Sequence, residues 1–349
     1  MNRSAPVLAV GDVNVDLVVP PFDAAAPGAA GSPPTHPTPQ LHGGGSSANT
    51  AVALARLGLP VAFAGTIGDD GFGRWEIADL QREGVDLRGL RLERDAFTLM
   101  ALALIQPDGE RRILIWPPSG GAHSRFRPED LDPQQVAGAA WLHTSGICLR
   151  QPPLSEAVLH AMRLARAAGV PVSLDLNLRL ESFGLDQAGR ERFWQAIRLS
   201  DVVLGSAYDE IAPLAGGAER AAAGAPADGA AHSEGGAHAE GGAQAALERA
   251  LAALSDGGRT VVARLGAGGA LAQSPLGRFV SPAFPAAVVD TLGAGDAFNG
   301  GFIAAQLAGA GLPTCLRWGN AAAALKIGQM GARGLPDRRQ IELLLNGEL

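Results

Sequence analysis

Short β-branched apolar runs alternate along the chain with longer segments whose apolar residues recur at helical spacing. Strands are predicted at Val7–Val13, Val61–Ile67, Ala140–Ile147, Val170–Leu174, Val202–Leu204, Thr260–Leu265 and Ala270–Gln273. Between them the spacing predicts helices at Ser46–Leu57, Gly73–Glu83, Leu154–Ala168 and Gly189–Leu199. Three more follow in succession at about 294–309, 313–329 and 337–346. Ser46 or Ser47 reads as the N-cap of the first helix, and Gly58 stands just past its end. This alternation predicts an α/β fold, with a central, mostly parallel sheet covered by helices on both faces. One segment departs from the scheme. Thr98–Ile105 and Arg111–Trp116 flank the sequence QPDGE, which reads as an antiparallel hairpin turning at Asp108-Gly109 and attached to the core as a flap.

Composition sets two stretches apart. Residues 20–43 are rich in Pro, Ala and Gly and read as an exposed loop. Residues 215–246 form a low-complexity insert in which little order is expected. The 349 residues suffice for a large core in a single domain. A net charge of −7, from 28 basic and 35 acidic residues, argues against nucleic acid or an anionic membrane surface as the main partner. No run reaches the roughly 18 uncharged apolar residues of a membrane helix. The N-terminal apolar run is interrupted by Asp12, Asn14 and Asp16, so it is no signal-peptide core. Cys148 and Cys315 lie far apart without a CxxC pattern, and neither a disulfide scaffold nor a zinc site is expected. The expected setting is the cytoplasm.

The stretch DTLGAGDAFNGGF, Asp290 to Phe302, carries candidate chemistry. Phe298, Phe302, Ile303 and Leu307 mark one face of a helix that starts near Gly293 or Ala294. The first turn of a helix offers free N–H groups and a partial positive charge, and small residues let an anion approach them. Gly293-Ala294-Gly295 therefore reads as an anion cradle. Asp296 is also an ordinary dipole partner for a helix start. The P-loop pattern GxxxxGK[ST] is absent, and GxGxxG fails because Phe298 occupies the third glycine's place. What remains is a phosphate cradle carrying its own carboxylate, which suits phosphoryl transfer to an alcohol. Upstream, Asp12, Asn14 and Asp16 alternate with valines and so point to one side of a strand and its continuation. Three such groups suit a polyhydroxylated ligand. Gly43-Gly44-Gly45 then opens a helix with Asn49 in its first turn.

Together, GGGSSANTAVALARLG, the strand SLDLNLR and DTLGAGDAFNGGF resemble the ribokinase-like (PfkB-type) carbohydrate kinases, over essentially the whole chain apart from 20–40 and 215–246. The resemblance implies a three-layer sandwich with a small β lid built from about 14–42 and 95–120; the exposed strands of that lid invite pairing with a second lid, so a homodimer is expected. It implies transfer of the γ-phosphate of ATP, with Mg²⁺, to a hydroxyl of a small sugar or sugar acid, a primary hydroxyl by preference. Asp296 matches the general base, and Gly293, Ala294 and Gly295 match the anion hole. Asn14, Asp16, Gly44, Gly45 and Asn49 match positions that hold sugar hydroxyls, and Arg179 matches an arginine near substrate or phosphate. On the nucleotide side, Leu265, Gly266 and Gly268 match the residues lining ATP, and Asn320 the residue near the base. Asp290 matches a monovalent-cation ligand, which implies activation by K⁺. The chain departs from the pattern where Ser206 or Ala207 replaces an asparagine that organises Mg²⁺, leaving Glu210, acting through water, for that task. His123 replaces another asparagine and reads as structural or lid-side. The segments WLHTSGI and DLNLRLESFG resemble members acting on 2-keto-3-deoxygluconate or fructose-like sugars, but RRILIWPPSGGAH lacks the residues that grip the acid, with Arg111 and Arg112 as the flap's remaining cations. A nucleoside kinase and a non-catalytic sugar- or nucleotide-binding regulator are the alternatives.

Overall fold

The structure is a computed structural model that describes residues 5–19, 38–105, 111–215 and 236–349. Its thirteen strands are β1 (Val7–Val10), β2 (Asn14–Val19), β3 (Gln40–Gly44), β4 (Val61–Gly68), β5 (Asp86–Glu93), β6 (Met100–Ile105), β7 (Arg111–Trp116), β8 (Trp141–Ser145), β9 (Val172–Asp175), β10 (Val202–Ser206), β11 (Thr260–Arg264), β12 (Ala270–Ser274) and β13 (Gly277–Ser281). The principal helices are α1 (Ser46–Arg56), α2 (Gly71–Arg82), α3 (Leu154–Ala167), α4 (Gln187–Leu199), α5 (Gly236–Ser255), α6 (Ala294–Leu307), α7 (Leu312–Ile327) and α8 (Arg338–Asn346).

Nine strands form one sheet in the order β13-β12-β11-β10-β9-β8-β1-β4-β5. Pairing is parallel from β5 through to β11, and only β12 and β13 are antiparallel. Both faces are buried, which is why these strands are nearly continuous apolar runs. Along β1, Leu8 and Val10 enter one core while Val7 and Ala9 enter the other. Helices α3, α4 and α5 cover the first face; α1, α6 and α7 cover the second. The expected α/β layering is the observed one.

Order in the sheet reverses at β1, which has β4 on one side and β8 on the other. Open α/β sheets bind ligands at the carboxyl ends of their strands, at such a reversal. Here Gly11 and Asp12 follow β1 directly, and the chain then leaves for a second sheet of order β3-β2-β6-β7. This is the smaller sheet into which the flap strands fold. β6 and β7 pair antiparallel from Met100↔Trp116 to Ile105↔Arg111. The turn expected at Asp108-Gly109 lies outside the described residues.

Several local expectations are corrected. Val7–Val13 is not one strand: the chain breaks after Val10, because Gly11 (φ +145°) packs against Ser47 and Cys148 where no Cβ would fit. The exposed loop expected over 20–43 ends before β3, whose residues find main-chain partners in β2; residues 20–37 lie outside the described residues. Of the insert at 215–246, residues 216–235 are likewise outside them, whereas 236 onward belongs to α5. That helix buries Leu247, Ala250, Leu251 and Leu254 against the sheet, so its helical period is set by packing. The N-cap of α1 is neither Ser46 nor Ser47 but Gly45, at φ +92°.

Candidate active site

Asp12 explains that last correction. Its carboxylate reaches across from the end of β1 and accepts the α1 N–H groups of Ser46 (2.7 Å) and Ser47 (3.0 Å), plus the Ser47 hydroxyl (2.7 Å). A distant aspartate thus satisfies the orphan donors that a local serine would otherwise take. The Ser46 hydroxyl is left to turn the other way, where it donates to Asp296 Oδ1 at 2.6 Å. Asn49, one turn along α1, donates to Asp296 Oδ2 at 3.0 Å. Two helix N-termini therefore meet around one carboxylate. Asp296 is buried, and burial pushes its pKa up to about 6 despite the two hydrogen bonds that favour its charged form; the charges of Asp175 and Asp12 push the same way.

Directly before Asp296, Gly293 is left-handed at φ +80°, and a Cβ there would lie 2.6 Å from the Ala332 carbonyl oxygen. No side chain caps α6, so its first turn keeps the character of an anion site. Gly293, Ala294, Gly295 and Asp296 thus make up the cap and first turn of α6.

β2 and β3 bring in the second cluster. Asn14 pairs with Gly44 across the two strands, and a Cβ on Gly44 would lie 2.6 Å from Asp16 Oδ1. Asn14 donates to Asp16 at 2.8 Å. Burial raises the Asp16 pKa to about 7, against the opposing Asn14 hydrogen bond and the Arg333 charge, with Asp296 and Asp12 adding to the rise. Asn49 thus touches Asp296 directly, Gly45 leads into α1, and Asn14, Asp16 and Gly44 cluster on β2 and β3, where the Asp296 charge acts on Asp16. Asp12, expected to join Asn14 and Asp16 on one strand face, serves α1 instead.

Sequence reasoning missed the opposite wall. Asp175 ends β9 and Arg264 ends β11. Arg264 donates to Asp175 (2.7 Å), to Asn299 on α6 (2.9 Å) and more distantly to Glu210 (3.4 Å), while Asn299 donates to Asp175 (2.8 Å). Burial works to raise the Asp175 pKa, but Arg264 and Asn299 hold it below the usual carboxylate range. The same guanidinium lies 3.3 Å from where a Gly295 Cβ would stand. A single arginine at a strand end has no local signature; its position beside the parallel strands' carboxyl ends was the one available signal.

Glu210 accepts main-chain N–H groups of Ser206 (2.6 Å) and Leu178 (3.2 Å), and burial followed by the Asp175 charge raises its pKa. Arg179, left-handed at φ +48°, donates through Nε to Asn177 (2.8 Å) and contributes its charge to Glu210. Leu265 precedes the exposed turn Gly266–Gly268, beyond Arg264. Asn320 on α7 donates to the carbonyls of Ser281 and Pro282, both at 3.0 Å, and so fastens that helix to the end of β13. His123 lies in a short 3-10 turn packed on β4, and burial lowers its pKa. Among the described residues no cluster of three or more His, Cys, Asp or Glu is placed to hold a metal. No helix there is long and apolar enough to cross a membrane.

Comparison with known proteins gives the family and the fold. The profile of the pfkB family carbohydrate kinases matches residues 5–338. The chain is 30% identical to the ATP-dependent ribose-1-phosphate kinase of Halopiger xanaduensis, over 87% of this chain and 86% of that one. The crystal structure of aminoimidazole riboside kinase from Salmonella enterica, complexed with aminoimidazole riboside and an ATP analogue, superposes with a TM-score of 0.73 at 30% identity, covering 97% and 99% of the two chains. Fructokinase from Vibrio cholerae, solved with fructose, ADP and calcium ion, superposes with a TM-score of 0.75 at 26% identity over 99% and 100%.

Proposed function

Because the chain belongs to the pfkB family of carbohydrate kinases, we propose that it transfers the γ-phosphate of MgATP to the primary hydroxyl of a neutral pentose, ketohexose or riboside, with Asp296 as general base. The observation that carries this reading is the buried Asp296 carboxylate, which follows directly on the Gly293–Gly295 turn and is held by Ser46 and Asn49. Asp296 takes the acceptor proton as the acceptor oxygen bonds to the γ-phosphorus. The bond to the β–γ bridging oxygen breaks in line, releasing ADP. The first-turn amides of α6 stabilise charge on the transferred group, and Arg264, beside Gly295, adds positive potential. Leu265, Gly266, Gly268 and Asn320 stand on the nucleotide side, with Arg179 near the phosphates.

Magnesium bound with ATP would neutralise phosphate charge. Both Glu210 oxygens already accept main-chain N–H groups, so Glu210 fits contact with the ion through water rather than direct ligation.

A neutral acceptor is preferred over a sugar acid or a sugar phosphate on charge. Among the described residues, Arg333 is the cation that contacts Asn49, and it is committed to Glu76 (2.6 Å) and Asp79 (2.9 Å) as well as Asn49 (2.7 Å). A panel of pentoses, ketohexoses, ribosides, keto-deoxy acids and sugar phosphates, read by ADP release, tests this. Saturable turnover restricted to the acidic acceptors would refute the preference. A non-catalytic regulator would show no acceptor-dependent turnover in any arm.

The small sheet serves as a lid that excludes water during transfer, and it pairs with the lid of a second copy. β7 is an edge strand whose Ile113, Leu114, Ile115 and Trp116 are all exposed, Ile113 by 61%, which is an association surface by composition. Sedimentation of Ile113→Asp/Ile115→Asp beside wild type checks this: a dimer is expected to become a monomer, and a monomeric wild type would end the idea. ATP dependence and two free, buried cysteines suit a cytoplasmic setting. Beside Asp290, where a monovalent cation is implied, the Lys326 ammonium stands on the Asp290 and Gln329 carbonyls.

A further inference from the structure

Lys326 lies in the last turn of α7 and is fully buried. Its ammonium donates to the carbonyl oxygens of Asp290 and Gln329, both at 2.9 Å. The Asp290 carboxylate in turn accepts N–H groups from Leu292 (3.0 Å) and Gly331 (2.9 Å). The Asp290 and Val289 amides both donate to the Ile327 carbonyl. Two loops are thereby laced together: 289–292, which runs straight into Gly293 and the anion turn, and 329–332, whose Ala332 carbonyl packs on Gly293. A positive charge sits between them, on one main-chain oxygen from each loop.

Burying an ammonium is costly unless its donors are met. The Asp290 and Gln329 carbonyls meet that need, and the dipole of α7, in whose last turn Lys326 stands, favours a cation there. Oxygen cages of this composition also suit a free potassium ion, which is close to an ammonium group in size. Here the chain's own side chain fills the place, so a free ion beside Asp290 would have to share carbonyls with a fixed charge of its own sign.

We infer that Lys326 is a tethered cation that replaces a dissociable monovalent ion in fixing the loop leading into the Gly293–Gly295 turn. It touches no reacting atom and acts as a positioning residue. The consequence is that phosphoryl transfer by this chain is independent of potassium. The inference deepens the kinase reading and rests on it only for the activity readout.

The test compares initial rates in tetramethylammonium chloride with rates after replacement by KCl or NaCl at constant ionic strength. Wild type is expected to give the same rate in each salt. A saturable rise with potassium of about fivefold or more, the scale of ordinary coupling between sites, overturns the inference. Lys326→Ala is expected to be slow in tetramethylammonium and to regain rate with potassium or ammonium ion; a folded variant that ignores both ions also overturns it. Lys326→Met tests the same point if the alanine variant does not fold, and the wild-type titration decides if neither does. Thermal midpoints without substrates provide a second readout: potassium should raise that of Lys326→Ala and leave wild type unmoved. If no acceptor is turned over, the acceptor reading has failed, while the thermal comparison still judges Lys326.

Discussion

The Ser46 hydroxyl donates to Asp296 at 2.6 Å, joining the first turns of two helices 250 residues apart in sequence. The contact exists because Asp12 relieves Ser46 and Ser47 of capping α1. It places a hydroxyl donor, an amide donor from Asn49 and a helix N-terminus around one buried carboxylate. In the account proposed here those groups keep Asp296 ionised in a setting whose burial opposes ionisation.

The pH dependence follows from that balance. Only the ionised carboxylate can accept the acceptor's proton, and burial has moved its pKa up to about 6. The rate constant kcat/KM is therefore expected to be flat above neutrality and to fall as pH drops through about 6. A profile with no acid limb down to the ordinary aspartate range would count against Asp296 as the base.

Replacing Ser46 by Ala removes a hydrogen bond that favours the charged form. The acid limb should move to higher pH, so the loss of rate should be larger at pH 6 than at pH 8. A uniform loss at both values would assign Ser46 a structural role instead.

Gly44→Ala is a probe of the acceptor side. The added methyl would lie 2.6 Å from Asp16 Oδ1, and overpacking of that kind costs roughly 1–3 kcal/mol, or about 5- to 150-fold in acceptor KM. The KM for ATP should stay where it is. Equal weakening for both substrates would mean that Gly44 supports the fold rather than the acceptor.

Arg264→Met tests the missed wall. It leaves Asp175 buried without its charged partner, and breaking such a pair costs about 3–5 kcal/mol. Denaturant titration should show that loss, and Asp175→Asn/Arg264→Met should recover part of it. A single variant as stable as wild type would show that Asn299 and the main chain satisfy Asp175 alone.

Much of this architecture could be read before the structure. β1, β4 and β8 to β11 are buried on both faces, so their apolar runs are dense and short. β5 escaped notice because it is an edge strand: Leu87, Leu90 and Leu92 are separated by Arg88 and Arg91, and Gly89 sits opposite a break in the β4 register. β3 has no strand-forming composition and exists through pairing with β2. The Gly293–Asp296 turn was legible because its chemistry is contiguous. Arg264, Asp175 and Asn299 were not, since each comes from a different element and only the sheet brings them together. Lys326 did leave a trace, as the one charge inside the apolar run NAAAALKIG, but its partners are main-chain oxygens that no residue type reveals.

The most direct measurement is acceptor-dependent ADP release by wild type beside Asp296→Asn, with fold and ATP binding checked in both. Wild type is expected to turn over a neutral sugar or riboside, and the variant to lose about 10²–10⁴-fold, the usual contribution of a positioned general base. A variant that binds ATP and turns over the same acceptor at the wild-type rate would contradict that role for Asp296.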